Sequence, residues 1–468
     1  MFGPITKLMA LIKSISGIRG TIGGDPGDSL SPVDIVKFTA AYGTWLQKRH
    51  RDKALKAVVG RDARKSGPMV NSLVVTTLRS LGINVTDLGM ATTPTVEIAV
   101  RGLDAHGGII ITASHNPGEW NALKLLNEEG EFLSASDGNE VLKIASDEDF
   151  HFAPVDQTGT LEYDNTWGLR HIQKVVDMEL VSPDAIRASG FTVAVDCINS
   201  VGGLVVPNLL RSLGIDKIVE LNTTPDGNFA HIPEPLPENL RDIAELVRKS
   251  GADIGFVVDP DVDRLAVVCE DGTMFGEEYT LVAVSDYILK NQPGNTVSNM
   301  SSTRALRDVT EGYGCRHYSA AVGEVNVVEE MKLRNAVIGG EGNGGVIYPT
   351  LHYGRDALAG IGLFLSHLAK SKMKCSELRI IYPKYVMAKK KMKLTPSLDF
   401  GKITAAVKEN FPGKSFDERD GLWFEHQGGW VQIRKSNTEP LIRIYSEGRT
   451  GEEAGRLADS VMDIVKKL

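Results

Sequence analysis

The sequence predicts an α/β protein: three similar mixed α/β-sheet domains followed by a C-terminal α+β domain. Three observations carry this. Apolar runs of strand length alternate with segments of helical period, the pattern of wound α/β sheets. Three of those runs end in a polar or glycine-rich loop: 107–111 before 112–117, 254–258 before 259–264, and 336–338 before 339–345. After about residue 379 the texture changes to basic and Trp-bearing segments that read as antiparallel strands with one closing helix. The expected domains are 1–155, 156–270, 271–378 and 379–468, which suits 468 residues at about 100–200 residues per domain.

In the first domain the glycines of KSISGIRGTIGG (13–24) read as a loop, and Arg19 is its candidate site charge. Ser31 caps a helix with Pro32 in its first turn, and Ile35, Phe38, Tyr42, Trp45 and Leu46 recur at helical spacing. A strand at 57–59 runs into GRDAR (60–64). Ser66 precedes a second helix, 83–88 is a strand, Thr93-Pro94-Thr95 opens a third helix, and 134–149 is a polar stretch. The second domain begins near Leu161. It has strands at 191–195, 217–221 and 254–258, and helices at 205–213 and 239–248. The third has helices at 279–290 and 357–368 and a strand at 296–299. The Lys-rich stretch 370–374 begins a linker. In the last domain 431–433 is a strand and 452–465 the closing helix.

Composition narrows the function classes. A net charge of −8 and no long basic run exclude nucleic-acid binding by phosphate neutralisation. Any phosphate site must be a local cluster of Arg and backbone N–H groups. No apolar segment approaches the length of a membrane span. The N-terminal segment lacks a signal-peptide pattern, although Met9 is an alternative start. Cys197, Cys269, Cys315 and Cys375 show no CxxC spacing, so neither a disulfide framework nor a zinc site is expected. The expected compartment is the cytoplasm.

Four motifs carry chemistry. TASHNP (112–117) puts the Ser114 hydroxyl at the carboxyl end of a strand, where open α/β sheets place their sites. His115 is poorly placed as a base for Ser114, because adjacent side chains on an extended chain point opposite ways. No G-x-S-x-G elbow is present either. DPDVDR (259–264) supplies Asp259, Asp261 and Asp263, hard oxygen donors able to converge on one cation. Arg264 stands next to them, suited to stabilising phosphoryl oxygens. An EF-hand calcium loop is set aside, since Arg264 occupies the position that needs Gly and a strand, not a helix, follows. An Mg-dependent aspartyl phosphatase, with Asp259 as nucleophile and Asp261 as acid, fits the spacing but leaves Ser114 without a role. GGEGNGG (339–345) offers Glu341 and Asn343 to sugar hydroxyls. RKSNTEP (434–440) offers Arg434, Ser436, Asn437 and Thr438 to a phosphate, and Arg443 is near enough to join them. Lys124 can act as acid or base on a sugar hydroxyl if burial lowers its pKa.

In this order and at these separations the four motifs resemble the α-D-phosphohexomutases over essentially the whole chain. The resemblance implies a four-domain, heart-shaped enzyme with one motif per domain lining a central cleft. It implies that Ser114 is a phosphoserine and that Asp259, Asp261 and Asp263 hold Mg²⁺ together with its phosphate. Glu341 and Asn343 would face the sugar, and Arg434, Ser436, Asn437 and Thr438 would hold the phosphate that is not reacting. Arg19, His115, Lys124 and Arg264 complete the expected catalytic set. The implied reaction interconverts hexose 1- and 6-phosphates through a 1,6-bisphosphate, which also primes the enzyme. The last domain is expected to move to admit two sugar orientations. Many family members have Ser at the position of Asn343 and His at that of Gly345. The GEGNGG form, with HIPEPLPENL at 231–240, resembles the archaeal-type phosphoglucosamine mutases. Glucosamine phosphate is therefore the expected substrate, with glucose or mannose phosphate, or dual specificity, as the alternative.

Overall fold

A computed structural model describes residues 10–14, 17–51, 54–393, 399–435 and 441–468. Its described strands form four sheets. The first three share one wiring. In the first, strand Lys56–Arg61 pairs in parallel with Asn84–Met90 on one side and Gly107–Ile111 on the other, and Trp120–Leu126 adds antiparallel to the latter. The second repeats this with Thr192–Asp196, Lys217–Leu221, Ile254–Val258 and Leu265–Cys269. The third repeats it with Thr296–Asn299, His317–Ala320, Ile338–Glu341 and Gly345–Ile347. In each unit the chemically distinctive loop connects the third strand to the antiparallel fourth. The three predicted strand-then-loop junctions are therefore topologically equivalent. The fourth sheet is antiparallel, in the order Val386–Lys393, Leu441–Gly448, Gly429–Lys435, Leu422–His426, and helix Gly451–Lys466 packs on it. The predicted α/β, α/β, α/β, α+β order is borne out.

Local chemistry explains the main helices. Ser31 and Asp34 form a reciprocal capping box at the start of Pro32–Arg49, satisfying amide groups that the first turn leaves open. Thr92 accepts from Thr95 N to start Thr93–Gly102, and Asp356 accepts from Leu358 N and Ala359 N to start Ala357–Ser371. The second and third units share one apolar core, running from Ile172 and Val195 through Phe256 and Phe275 to Phe364. There Phe364 meets Phe275 edge-on at 5.1 Å and Phe256 at 6.1 Å.

Several segments differ from expectation. The stretch 13–24 is not a plain loop, because Leu11–Ser14 and Gly17–Thr21 pair antiparallel and join the first sheet through Trp120–Leu126. Near Leu161, where the second domain is expected to begin, the chain instead forms strand Leu161–Tyr163 at one edge of the first sheet. The polar stretch 134–149 contains the helix Ala135–Asp147, capped by Ser134. The stretch 370–374 is no open linker. It joins Ala357–Ser371 to the short helix Cys375–Ile380, whose Cys375 and Leu378 are fully buried. No described helix is long and apolar enough to cross a membrane.

Candidate active site

The first-unit loop begins at Ser114, which is buried and adopts φ +47°. That left-handed turn breaks the extended geometry and aims the hydroxyl at the second unit. Ser114 Oγ donates to Asp259 Oδ2 at 2.7 Å. The loop is held from behind by Arg64, whose guanidinium donates to the carbonyls of Ser114, Asn116, Pro117 and Trp120. Arg64 is itself fixed by Asp62 at 3.0 Å, and Thr112 Oγ1 donates to the same carboxylate at 2.7 Å. Arg19 donates to Asn116 Oδ1 at 2.8 Å, which places it at the loop's other flank.

The second-unit loop brings Asp259, Asp261 and Asp263 together, all essentially inaccessible to solvent, with ligand atoms within 4.8 Å of one another. Val262 takes φ +63° in the middle of this loop. A β-branched residue there is strained, a device that recurs at functional sites. Lys124, on the fourth strand of the first unit, reaches Asp261 at 2.7 Å and Asp263 at 3.5 Å. Burial alone would lower its pKa. The two carboxylates outweigh burial, and its pKa is raised. The condition under which Lys124 would serve as a base, a pKa lowered by burial, is therefore not met here: it is held as a cation. His115 is half-buried. The Arg264 charge first, then burial and Arg19, hold its pKa well below the ordinary value, so it is neutral, and its Nδ1 has no hydrogen-bond partner.

The third-unit loop is a tight turn between Ile338–Glu341 and Gly345–Ile347. Gly344 sits at φ +88°, and a Cβ there would lie 2.4 Å from Leu265 O. Glycine thus lets this turn rest on the backbone that leaves the Asp loop, where Leu265 N donates to Gly344 O. Glu341 is saturated by the protein. Asn299 Nδ2 and Gly323 N donate to one oxygen, Arg355 and Asn343 Nδ2 to the other. Arg355 is the hub of the cluster, pairing with Asp263 at 2.6 Å, Glu341 at 2.7 Å and Glu324 at 2.9 Å.

In the fourth unit Arg434 and Arg443 lie directly opposite each other on adjacent antiparallel strands. Like charges so paired repel unless an anion sits between them, which is the arrangement a phosphate would relieve. Ser436, Asn437 and Thr438 lie outside the described residues. The hairpin bearing the two arginines meets the third unit, where Ser301 Oγ donates to Gln432 Oε1 at 2.5 Å.

The donor set fits a divalent cation. Five carboxylates, those of Asp259, Asp261, Asp263, Glu324 and Glu341, are buried together, and four of them, all but Asp259, are in ion-pair contact with Lys124, Arg264 or Arg355. Asp261 Oδ1 and Asp263 Oδ1 are buried without a hydrogen-bond partner, a costly state for a carboxylate unless a cation meets it. Burial and the two neighbouring aspartates push the Asp259 carboxyl well above its ordinary range. A metal ion would reverse that repulsion.

Sequence comparison decides the family. Profiles described as phosphoglucomutase/phosphomannomutase, alpha/beta/alpha domains I, II and III match residues 11–152, 169–272 and 276–385, and the C-terminal domain of that family matches 387–464. The chain belongs to the phosphoglucomutase/phosphomannomutase family. A Thermococcus kodakarensis protein named phosphoglucomutase/phosphomannomutase is 37% identical, over 93% of this chain and 95% of its own. A Methanopyrus kandleri protein named probable phosphoglucosamine mutase is 32% identical, over 97% of each. A Burkholderia thailandensis crystal structure of a phosphoglucomutase/phosphomannomutase family protein superimposes with a TM-score of 0.84 at 27% identity, covering 97% of both chains. The phosphohexomutases are intramolecular phosphotransferases.

Within this phosphohexomutase, the residues that sequence reasoning missed are those reaching the site from other elements: Asp62, Arg64, Thr93, Asn299, Glu324 and Arg355. The GRDAR segment was visible as a charged run after a strand, and it supplies the first two. Behind the site a buried polar chain ties three units together. Thr95 Oγ1 meets His171 Nδ1 at 2.9 Å, His171 Nε2 meets Asp356 Oδ2 at 2.8 Å, and His352 joins Asp356 at 3.2 Å and Glu97 at 3.3 Å. Burial would lower the His352 pKa, but Asp356 and Glu97 outweigh it and push it up to about 10. A raised folded-state pKa means stability that is complete below the ordinary 6.5 and is lost as pH rises through about 10. Thermal unfolding midpoints are therefore expected to fall across that window. His352→Gln should flatten the fall, and an unchanged slope in the variant would remove this role.

Proposed function

We propose that the protein interconverts glucosamine 6-phosphate and glucosamine 1-phosphate through a phosphoserine at Ser114 and a bound 1,6-bisphosphate. The observation that carries this is the Ser114 hydroxyl hydrogen-bonded to Asp259 within the buried Asp cluster. Asp259, Asp261, Asp263 and an oxygen on Ser114 would hold Mg²⁺. When bound, that ion neutralises charge on the transferring phosphoryl group. In the first half-reaction the bond between Ser114 Oγ and phosphorus breaks as the free sugar hydroxyl bonds to phosphorus, and the proton lost by the sugar is balanced by the one Ser114 Oγ takes up to become the hydroxyl that donates to Asp259. His115, neutral and with an unpartnered Nδ1, is suited to take that hydroxyl's proton. Lys124, held charged, and Arg19 and Arg264 would stabilise the phosphoryl oxygens. The bisphosphate then reverses its orientation, and its other phosphate returns to Ser114. Arg434 and Arg443 would grip whichever phosphate is not reacting, together with Ser436, Asn437 and Thr438. The Asn343 and Glu341 turn would read the sugar, Glu341 being fixed in place by Arg355 and Asn299. The same bisphosphate would phosphorylate Ser114 to prime the first turnover.

The preference for glucosamine rests on the GEGNGG turn and on the name of the Methanopyrus kandleri relative. The name of the Thermococcus kodakarensis relative favours a second reading, glucose and mannose phosphates. A panel of kcat/KM values for glucosamine, N-acetylglucosamine, glucose and mannose 6-phosphates decides between them. The highest value for glucosamine phosphate is expected. Comparable or higher values for glucose and mannose would transfer the assignment to the second reading. Steady release of inorganic phosphate with no isomer formed would instead support a phosphatase using Asp259.

A further inference from the structure

Each triad carboxylate is already committed at one oxygen or both. Asp261 Oδ2 accepts from Thr93 Oγ1 at 2.6 Å and from Lys124 at 2.7 Å. Asp263 Oδ2 accepts from Arg355 at 2.6 Å, with Lys124 3.5 Å away. The other oxygen of each, Oδ1, is buried and has no hydrogen-bond partner. Asp259 Oδ1 accepts from the backbone N–H groups of Asp263 and Arg264, both at 3.1 Å, which leaves Oδ2, shared with Ser114, as the oxygen free of backbone donors. Thr93 and Arg355 come from outside the 259–264 loop. Thr93 opens a first-unit helix and also donates its backbone N–H to Asp261 O at 2.9 Å. Arg355 precedes a third-unit helix and spends its remaining nitrogens on Glu324 and Glu341.

We propose that Thr93 and Arg355 are positioning residues that set the cation selectivity of the triad. By occupying the second oxygen of Asp261, which Thr93 shares with Lys124, and that of Asp263, they confine each carboxylate to one-oxygen ligation. This inference rests on the reading that the triad holds a divalent cation. Its consequence follows from ion size. Mg²⁺ takes six ligands at about 2.0–2.1 Å in a near-octahedral shell, whereas Ca²⁺ takes six to eight at about 2.3–2.6 Å and often binds carboxylates through both oxygens. Three one-oxygen carboxylates and a Ser114 oxygen would supply four of the six ligands that the smaller ion takes, and small ligands would supply the rest. A calcium shell would draw in Asp261 Oδ2 or Asp263 Oδ2. It would then displace Thr93 and Lys124, or strip Arg355 of one of three carboxylates while the guanidinium stays buried. The protein thereby penalises the larger ion through groups that never touch it.

The test is calorimetric titration of MgCl₂ and of CaCl₂ into the full chain at a single Ser114 phosphorylation state, verified by intact mass. Wild type is compared with Thr93→Val and Arg355→Lys. Thr93→Val keeps the side-chain shape and the backbone bond to Asp261 but removes the hydroxyl donor. Arg355→Lys keeps the charge but not the fork. In each variant the affinity for Ca²⁺ relative to Mg²⁺ is expected to rise about tenfold, the size of effect that outer-layer changes have at metal sites. A merely structural role would weaken both ions together. An unchanged ratio in the folded variants would overturn the proposal, and Thr93→Val alone decides it should Arg355→Lys fail to fold. Absence of binding of either ion by the wild type would instead remove the cation reading, and this proposal with it.

Discussion

Ser114→Ala is expected to lower bisphosphate-primed turnover by on the order of 10⁴-fold or more, as loss of a covalent nucleophile does elsewhere. Among the described residues the site offers no substitute hydroxyl in the same place. Thr112 Oγ1 is spent on Asp62 and on Ser114 N, and Thr93 Oγ1 donates to Asp261. The structural cost should be small by comparison. Alanine pays the same penalty for φ +47° that serine pays, and Asp259 Oδ2 loses one donor, worth about 1–3 kcal/mol for a buried acceptor. Ser114→Thr separates chemistry from backbone. It keeps a hydroxyl but sets a β-branched side chain at that same left-handed φ, so it should recover a minor share of activity at most. The measurements are bisphosphate-primed isomerisation and intact mass after incubation with the bisphosphate. Full turnover in Ser114→Ala, or a stable phosphate adduct on it, would place the phosphate carrier elsewhere.

What could be read from the sequence was whatever is local along the chain. The Ser114, Asp259–Asp263 and Glu341–Asn343 segments each follow an apolar strand, and strand endings are visible as runs of Ile, Val and Gly. The threefold wiring was visible as a rhythm and no more, because pairing order depends on which edges meet. The loop expected at 13–24 is a strand pair because Gly17 and Gly20 lie where a side chain would strike backbone of neighbouring chain: a Cβ would be 2.5 Å from Leu123 O and 2.6 Å from Ala10 O. Glycine there marks close approach and not a bend. Lys124 was found as a residue, with the direction of its pKa left to depend on burial. Burial lowers a lysine pKa only when no carboxylate follows it in, and Asp261 lies 137 positions away. Arg355 escaped for the same reason. In HYGRDALAG it looks like a helix-start charge, and its three partners are 14, 31 and 92 positions distant.

Arg64→Lys is the second large effect, and it tests whether the serine loop is positioned by one side chain. The Arg64 guanidinium satisfies four carbonyls of the 114–120 loop and one carboxylate, and it lies 5.0 Å from the Phe229 ring of the second unit. A lysine ammonium is a single point with three donors and cannot reproduce that planar fork. The loop would keep its charge partner but lose the geometry that fixes Ser114, and a misplacement of about 1 Å at a reacting atom costs about 10²-fold in rate. Because Arg64 is sealed behind the loop at 1% exposure, the loss should fall on kcat and on the rate of Ser114 phosphorylation, with KM moving less. Arg64→Ala goes further. Burial pushes the Asp62 carboxyl up even with Arg64 beside it. Removing the cation then strands a buried acid, at a cost of about 3–5 kcal/mol in the first unit. Asp62→Asn combined with Arg64→Ala should recover part of that stability, since no unpaired charge remains, while recovering none of the rate. Stability and turnover would then separate in one pair of variants. A wild-type kcat in Arg64→Lys, or turnover returning along with stability in the double variant, would show that the loop holds Ser114 without this clamp.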